Sequence, residues 1–333
     1  MQRPVLILSD EHIGSYAGIG DLLARTLQAV GVSVRHIPLS AARAPHAIKR
    51  NTVVIQNTIG PRFAPIRGCR NIAMVHHEWD RYPQAWVRSL NAYSEVWVTT
   101  TFVKRTLLTS GVTAPIVLVR PALDLDPIPL KADYRLRRPL RIFACGAPHF
   151  RKGFHLLMEG FVRAFPRQGE AQLMIHSESG GEWGSPRPDI LIDDVRLSRE
   201  ALLARFRDFD VFASASLGEG LGLPVAEAIL AGVPVLANDW GGHGDLLSAG
   251  AFFPLPYAVV PQPYCSRPKY YAPGQRCAVS TVEGIAAALR RVEKSSDRIR
   301  EEMAASARQA LLRRYGQRAV TKRLKTSRPV RSL

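Results

Sequence analysis

Two successive series of short apolar runs, separated by amphipathic segments, most constrain the fold of this 333-residue chain. The first series starts with VLILS at Val5–Ser9, and the second starts with LRIFAC at Leu140–Cys145. Continuous apolar runs of this length are typical of strands buried on both faces, and helical periodicity between them indicates crossover helices. Each series therefore predicts a doubly wound parallel sheet. The chain is predicted to be an α/β protein with two such domains facing each other across a cleft.

The same pattern predicts where the elements lie. In the first series we predict a helix in the segment GDLLARTLQAVG, with Asp21 near its start and Gly31 past its end, and a second helix at residues 102–110. Further strands are predicted in the segments VSVRHI, NTVVIQ, NIAMVH, EVWVT and PIVLV. In the second series, an apolar stripe at helical spacing from Phe154 to Phe165 indicates a helix. Further helices are predicted to start near Ser198 and Pro224, with strands in AQLMIH, DVFASA and VPVLAN.

A Pro-rich segment, Pro121–Pro139, lacks apolar periodicity and is predicted to link the two domains. We therefore place the first domain at residues 1–130 and the second at residues 131–302, followed by a basic C-terminal helix or tail at residues 303–333. The segment Phe252–Cys277 is rich in Pro and Tyr and shows neither strand nor helix periodicity. It is predicted to be a long loop.

About half of the net charge of +17 lies in the last 31 residues, which hold nine basic side chains and no acidic one. Such a segment favours an anionic surface, and we expect it to bind the inner face of a membrane reversibly. Two alternatives remain open. One is non-specific binding of nucleic acid, for which the chain has no recognisable motif, and the other is a solvated helix end.

The chain opens without a charged leader and apolar stretch, and no apolar run approaches the ~20 residues of a membrane span. Its four cysteines form no CxxC pair, which is typical of a reducing compartment. These features predict a cytoplasmic protein, in which Cys265 and Cys277 form the one plausible disulfide.

Two carboxylates separated by seven residues, Glu219 and Glu227, carry the strongest functional pattern. Alternating glycines between residues 218 and 222 allow the backbone to approach a ligand, and Pro224 suits the start of a helix. The free amides of that helix would then favour an anion in the loop. Glu227, predicted in the first helical turn, is placed to accept hydrogen bonds from ribose hydroxyls, with Glu219 nearer to the phosphates. The alternative is a glycine loop and an acid-capped helix with structural roles alone.

Three further sites are candidates for ligand contacts. Lys152 precedes Gly153 at a predicted helix start, from which its ammonium reaches a diphosphate. His76 ends the strand NIAMVH, where side chains face the cleft, and its imidazole can hydrogen-bond a hydroxyl. Gly14, Gly18 and Gly20 are predicted to lie in a permissive loop after the first strand. The His and Glu residues next to His76 are too close in sequence to converge on one metal ion, so no metal site is expected.

The segment Ser216–Gly242 combines the acidic pair with a set of small and apolar residues, namely Gly220–Pro224, Ala228, Gly232, Pro234, Val235, Gly241 and Gly242. Together these residues resemble the E-x7-E signature of GT-B glycosyltransferases, most closely the retaining family 4. The segments EVWVTTTFVKRTLLTSGV and PIVLVRPALDLDP also resemble the end of that family's first domain. The resemblance implies the GT-B fold, an α/β architecture of two Rossmann-like domains that face each other across a cleft.

The resemblance also implies a role for each candidate residue. Glu227 would hold the ribose of a nucleotide sugar, and Glu219 would contact the donor sugar and phosphates. Lys152 would bind the diphosphate and His76 the sugar near its reacting carbon, which makes His76, Glu219 and Lys152 the expected catalytic residues. Further donor contacts are expected from Arg151, Gly220, Leu221, Gly222 and Leu223. The glycines Gly18 and Gly20 would lie near the acceptor and the donor phosphates.

We therefore expect a metal-independent hexosyltransferase without a cofactor, which moves a sugar from a nucleoside diphosphate sugar to a glycan or lipid-linked hydroxyl acceptor in polysaccharide or glycolipid assembly, with retention. The chain departs from the family pattern where Ala147 follows Gly146, leaving Arg151 or His149 in place of the usual arginine. It departs again where HSES at residues 176–179 replaces a glycine-rich turn. The alternative function is a catalytically inactive GT-B-like protein that binds a nucleotide sugar or glycan.

Overall fold

The computed structural model describes residues 4–11, 14–43, 48–136, 139–178, 184–247, 250–262, 273–327 and 333. The chain divides into two compact units. The first unit comprises residues 1–125, 265–275 and 312–333, and the second comprises residues 126–264 and 276–311. Each unit contains a six-stranded sheet.

The sheet of the first unit is parallel throughout, in the order β2-β1-β3-β4-β5-β6. Its strands are β1 (Val5–Ser9), β2 (Val34–Pro38), β3 (Val53–Asn57), β4 (Arg70–Val75), β5 (Glu95–Val98) and β6 (Ile116–Leu118). All six lie in runs where strands were predicted. Its first three helices are α1 (Gly14–Gln28), α2 (Gln84–Leu90) and α3 (Thr101–Thr109). The sequence pattern did not predict α2, because two turns are too short to show helical periodicity.

Helix α1 begins earlier than predicted. Gly14, Gly18 and Gly20 were expected in a loop, but all three lie in α1. Gly20 faces the sheet, where an added Cβ would lie 2.1 Å from Ser9 Oγ and 2.5 Å from His36 Nε2. The absence of a side chain therefore lets α1 approach β1 and β2 closely, which offsets the poor helix propensity of glycine.

The sheet of the second unit is also parallel, in the order β12-β11-β10-β7-β8-β9. Its strands are β7 (Leu140–Cys145), β8 (Ala171–His176), β9 (Ile190–Asp193), β10 (Val211–Ser214), β11 (Val235–Ala237) and β12 (Phe253–Pro254). Helices α4 (Phe154–Ala164), α5 (Arg199–Arg205) and α6 (Leu223–Leu230) connect successive strands and confirm the predicted helices, and a short helix α7 (Gly244–Leu247) follows β11. The apolar stripe of α4 packs in a buried cluster with residues of α8 (Val282–Lys294).

The segment Phe252–Cys277 was predicted to be a long loop, but part of it forms strands. It contains β12, and β13 (Ala258–Pro261) pairs antiparallel with β14 (Arg276–Val279). Strands this short pair through backbone groups, so their side chains need not show an apolar period. Cys265 lies outside the described residues, and so does its proposed pairing with Cys277.

The described part of the basic C-terminal segment is mostly helical and packed. Helix α9 (Asp297–Tyr315) and helix α10 (Gln317–Thr326) contain most of its described residues, and the division between the two units falls inside α9. Within the first unit, Tyr315 donates its hydroxyl to Thr99 O at 3.3 Å, and Leu123 N donates to Tyr315 O at 2.9 Å. The first unit therefore extends to residue 125 and includes residues 312–333, whereas the predicted boundary lay at residue 130. Among the described residues, no helix is both long enough and apolar enough to span a membrane.

Candidate active site

Glu219 lies at the centre of a buried ionic cluster in the second unit. Lys152 Nζ donates to Glu219 Oε1 at 2.7 Å, and Arg151 Nη1 lies 3.0 Å from Glu219 Oε2. Ser216 Oγ donates to Glu219 Oε1 at 2.8 Å. The residue is only 8 % exposed. Burial alone would raise the pKa of Glu219, but the adjacent Arg151 and Lys152 lower it well below its usual range, so the group is ionised at neutral pH.

Two loops bring these charges together. Arg151 and Lys152 lie in a 3₁₀ turn (Phe150–Lys152) in which the Arg151 N–H donates to His149 Nδ1 at 3.1 Å, and Gly153 ends the turn with a left-handed φ of +65°. The backbone of Leu217 donates to Arg151 O at 2.7 Å, which joins this turn to the Glu219 loop. Of the two proposed substitutes for the missing arginine, the structure therefore places the Arg151 side chain at Glu219 and uses His149 as a cap.

The glycine loop before α6 is tightly packed. Gly222, at φ +87°, precedes α6 and contacts His243 so closely that an added Cβ would lie 2.7 Å from the His243 Cβ. An added Cβ on Gly242 would lie 2.0 Å from Gly220 O. The predicted donor residues Gly220 and Leu221 are buried, and Leu223 is partly buried. Side chains at these glycines would therefore displace the loop that carries Glu219.

Glu227 lies in the second turn of α6 and not in the first, because the helix begins at Leu223. The residue is 4 % exposed, and its carboxylate receives a hydrogen bond from Arg199 Nη1 to Oε1 at 2.5 Å. Arg199 Nε lies 3.6 Å from Asp126 Oδ2. Arg199, at the start of α5, therefore lies between two carboxylates. No sequence motif predicted that Arg199 contacts Glu227.

Cys145 is a buried side chain on which the charges of both Glu219 and Glu227 act. It ends β7 and lines a small cavity together with Lys152, Phe154, Phe212, Ala213, Ser214, Glu219, Gly222, Pro224 and Val225. Burial raises the pKa of the Cys145 thiol well above its usual range, and the charges of Glu227, Lys152, Arg199 and Glu219 also act on it. The thiol is therefore un-ionised and unreactive at neutral pH. Both predicted carboxylates and the predicted lysine are thus within electrostatic range of one buried side chain.

Three residues that sequence reasoning missed support the Glu219 loop. Ser216 bonds the carboxylate directly, and Asn238 Nδ2 donates to Ser216 O at 2.9 Å. His243 Nε2 lies 2.6 Å from Asn238 O, and burial lowers the pKa of His243, so the ring is neutral at pH 7. Ser216 stands only three residues before Glu219, but no local pattern indicates that Asn238 and His243 reach the same loop.

His76 lies in the first unit, and its tautomer can be assigned. The Asn57 amide donates through Nδ2 to Ser9 Oγ at 3.1 Å and to Tyr16 O at 2.7 Å, so Asn57 Oδ1 faces His76 Nε2 at 3.1 Å. Burial lowers the pKa of His76 to about 4. The ring is therefore neutral at pH 7, with the proton on Nε2 and an acceptor lone pair on Nδ1.

The two glycine candidates of the first unit, Gly18 and Gly20, differ in exposure. Gly18 is exposed in α1 with open space around its Cα, whereas Gly20 is buried against β1 and β2. His77, next to His76, is committed to a backbone contact, with its Nε2 2.8 Å from Arg81 O. Among the described residues, no three His, Cys, Asp or Glu side chains cluster in a metal-binding arrangement.

Two doubly wound parallel units and an ionised glutamate held by two basic residues before a glycine-capped helix define the class of the protein: it has the fold of a GT-B glycosyltransferase. Residues 143–324, more than half of the chain, match the family described as family 4 glycosyltransferases in conflict systems. The chain belongs to this family.

Solved structures with the same fold are distant in sequence. HepE from Anabaena, in complex with UDP and glucose, is 12 % identical with a TM-score of 0.67, and 100 % of each chain is covered. The trehalose-6-phosphate synthase OtsA is 11 % identical with a TM-score of 0.64, over 100 % of this chain and 99 % of OtsA.

TarM from S. aureus shares the fold over a smaller part of its length. The structure of a TarM mutant in complex with fondaparinux, α-GlcNAc-glycerol and UDP is 14 % identical with a TM-score of 0.63. The alignment covers 87 % of this chain but only 58 % of TarM, so this chain spans less than two thirds of that protein. No protein of curated function matches this chain by sequence.

Proposed function

We propose that this protein transfers a sugar from a nucleoside diphosphate sugar to a hydroxyl acceptor, with retention of the anomeric configuration and without a metal ion. The observation that carries the proposal is the Glu219 cluster, in which Lys152 and Arg151 contact the Glu219 carboxylate and Lys152 lines one cavity with Gly222 and Pro224 at the N-terminus of α6. Two cations and the free amides of a helix form a site for a dianionic leaving group. Membership of a glycosyltransferase family supports the same chemistry.

Each residue has a role that its geometry allows. Lys152 and Arg151 bind the diphosphate and stabilise the charge that develops on it as the glycosidic bond breaks. Glu219 keeps the two cations in place and accepts a hydrogen bond from the sugar. Glu227 accepts hydrogen bonds from the ribose, and the neutral His76 accepts one at Nδ1 from a sugar hydroxyl.

UDP sugars are the first donors to test, because the HepE and TarM complexes both contain UDP. UDP, GDP and ADP, each free and as the glucose conjugate, are added to the protein and the thermal unfolding midpoint is measured. A ligand at 100 times its dissociation constant adds ~2.7 kcal/mol to the free energy of unfolding, which shifts the midpoint measurably. We expect one nucleotide to stabilise the protein and Glu227→Gln to abolish most of that shift.

Transfer is then followed by the release of the diphosphate with sugar acceptors, and the anomeric configuration of the product is read by NMR. If none of the diphosphates raised the thermal unfolding midpoint, the proposed function would be contradicted. Stabilisation without release or transfer would favour the alternative, a GT-B-like protein that binds a nucleotide sugar or glycan without turnover.

For the acceptor we propose a glycan or lipid-linked hydroxyl at an anionic membrane surface, in polysaccharide or glycolipid assembly. The basis is the exposed face of α10, which carries Arg318, Lys322 and Lys325 opposite the buried Val320 and Leu324. Each basic residue near an anionic leaflet contributes ~1 kcal/mol to binding.

Reversal of these three charges to Glu is therefore expected to reduce retention on phosphatidylglycerol vesicles more than ~100-fold. The matched control reverses the exposed Arg167, Arg207 and Arg298 on the second unit. Equal loss in both triple variants, or retention on RNA but not on vesicles, would contradict the membrane proposal.

A further inference from the structure

Arg199 is the described side chain that engages the buried carboxylate of Glu227. Its Nη1 donates to Glu227 Oε1 at 2.5 Å, and its Nε lies 3.6 Å from Asp126 Oδ2. The guanidinium is planar and carries its donors in a fixed fork. Because its Nη1 faces Glu227 and its Nε faces Asp126, Arg199 fixes the orientation of the Glu227 carboxylate. Among the described residues no hydrogen bond reaches Oε2 of Glu227, and 6 % of the Glu227 side chain is exposed.

The charges make Arg199 necessary for an anionic ligand. Asp126, Arg199 and Glu227 together carry one negative charge. Without Arg199 the two carboxylates would carry two, close to the place where the diphosphate is proposed to bind. Such a change opposes the binding of any nucleoside diphosphate, and it deprives the buried Glu227 carboxylate of its ion pair with Arg199.

We propose that Arg199 is a positioning residue that fixes Glu227 so that Oε2 accepts the ribose hydroxyls, and that it thereby sets the preference for ribonucleotides over 2′-deoxyribonucleotides. This inference rests on the proposed function, because it takes Glu227 as the group that binds ribose. On this proposal Arg199 acts on the nucleotide through Glu227 and not on the sugar that is transferred. Its loss therefore raises the KM of the donor more than it lowers kcat.

The test measures dissociation constants of UDP, GDP and ADP and of their 2′-deoxy forms by calorimetry. For the best diphosphate, we expect the unaltered protein to favour the ribose form. We expect Arg199→Ala to weaken binding of the ribose form about 10- to 100-fold, the range for losing a hydrogen bond to a charged group, and to bring the deoxy-to-ribose ratio close to one. Arg199→Lys retains a cation at Glu227 and is expected to restore most of the preference.

Arg207→Ala, which removes an exposed arginine from the turn after α5, is the matched control and is expected to leave both constants unchanged. Circular dichroism establishes that each variant is folded. An unchanged ratio in Arg199→Ala, or equal affinity of the unaltered protein for ribose and deoxyribose forms, would overturn the role of Arg199 while the proposed function stands. Failure of every diphosphate to bind the unaltered protein would overturn the proposed function, and the role of Arg199 with it.

Discussion

Glu219→Gln is expected to lower the rate of sugar transfer about 10²- to 10³-fold, a loss of the size seen when one preorganised oxyanion-hole hydrogen bond is removed. Glutamine keeps the size of the side chain and can accept the hydrogen bond of Ser216 at Oε1. In the unaltered protein the Glu219 carboxylate contacts both Arg151 and Lys152, and an uncharged glutamine cannot neutralise them. The two cations then repel each other and leave the positions in which they meet the diphosphate.

The measurement is the initial rate of diphosphate release over a range of donor concentrations, from which kcat and KM are determined separately. We expect the larger effect on kcat, because the charge that the cations stabilise develops during the reaction. Glu302→Gln is the matched control, since it removes the same charge from an exposed pair with Arg298. Its effect should be close to zero. A Glu219→Gln enzyme with unchanged kcat would show that this cluster is structural.

Gly242→Ala is expected to lower the free energy of unfolding of the second unit by about 3 kcal/mol and to abolish transfer. The new Cβ would lie 2.0 Å from Gly220 O and 2.7 Å from Glu219 O. Both atoms belong to the backbone, so no side-chain rotation relieves the clash. The hydrogen bond from Gly242 N to Glu219 O, at 2.6 Å, must also shift. Stability and the position of Glu219 therefore change together.

Denaturant unfolding, followed by tryptophan fluorescence, measures the change in stability. The control is Gly184→Ala, at an exposed glycine where an added Cβ meets no atom within 4 Å. That variant should unfold within about 0.5 kcal/mol of the unaltered protein. If Gly242→Ala were as stable and as active as this control, the close packing of the two loops would not be required.

Much of the fold could be predicted because the relevant signal is local. A strand such as β7 is buried on both faces, so its apolar run appears directly in the residues Leu140–Cys145. The helix α4 shows the apolar period of one buried face. Helix α2 and the strands β13 and β14 were missed, because elements of a few residues are too short for either period. The prediction of a loop at Gly14, Gly18 and Gly20 was wrong, because these glycines lie in α1 and Gly20 allows that helix to pack closely against the sheet.

By itself, the amino-acid sequence determined the two parallel-sheet units and the spacing of Glu219 and Glu227, since both are written in neighbouring residues. Only the tertiary structure decided which charges meet. Lys152 reaches Glu219 across 67 positions, and Arg199 reaches Glu227 across 28. Such contacts depend on how one loop stacks on another, through glycines that admit no side chain and through backbone hydrogen bonds. No periodicity along the chain records that stacking, because periodicity reports only which face of an element is buried.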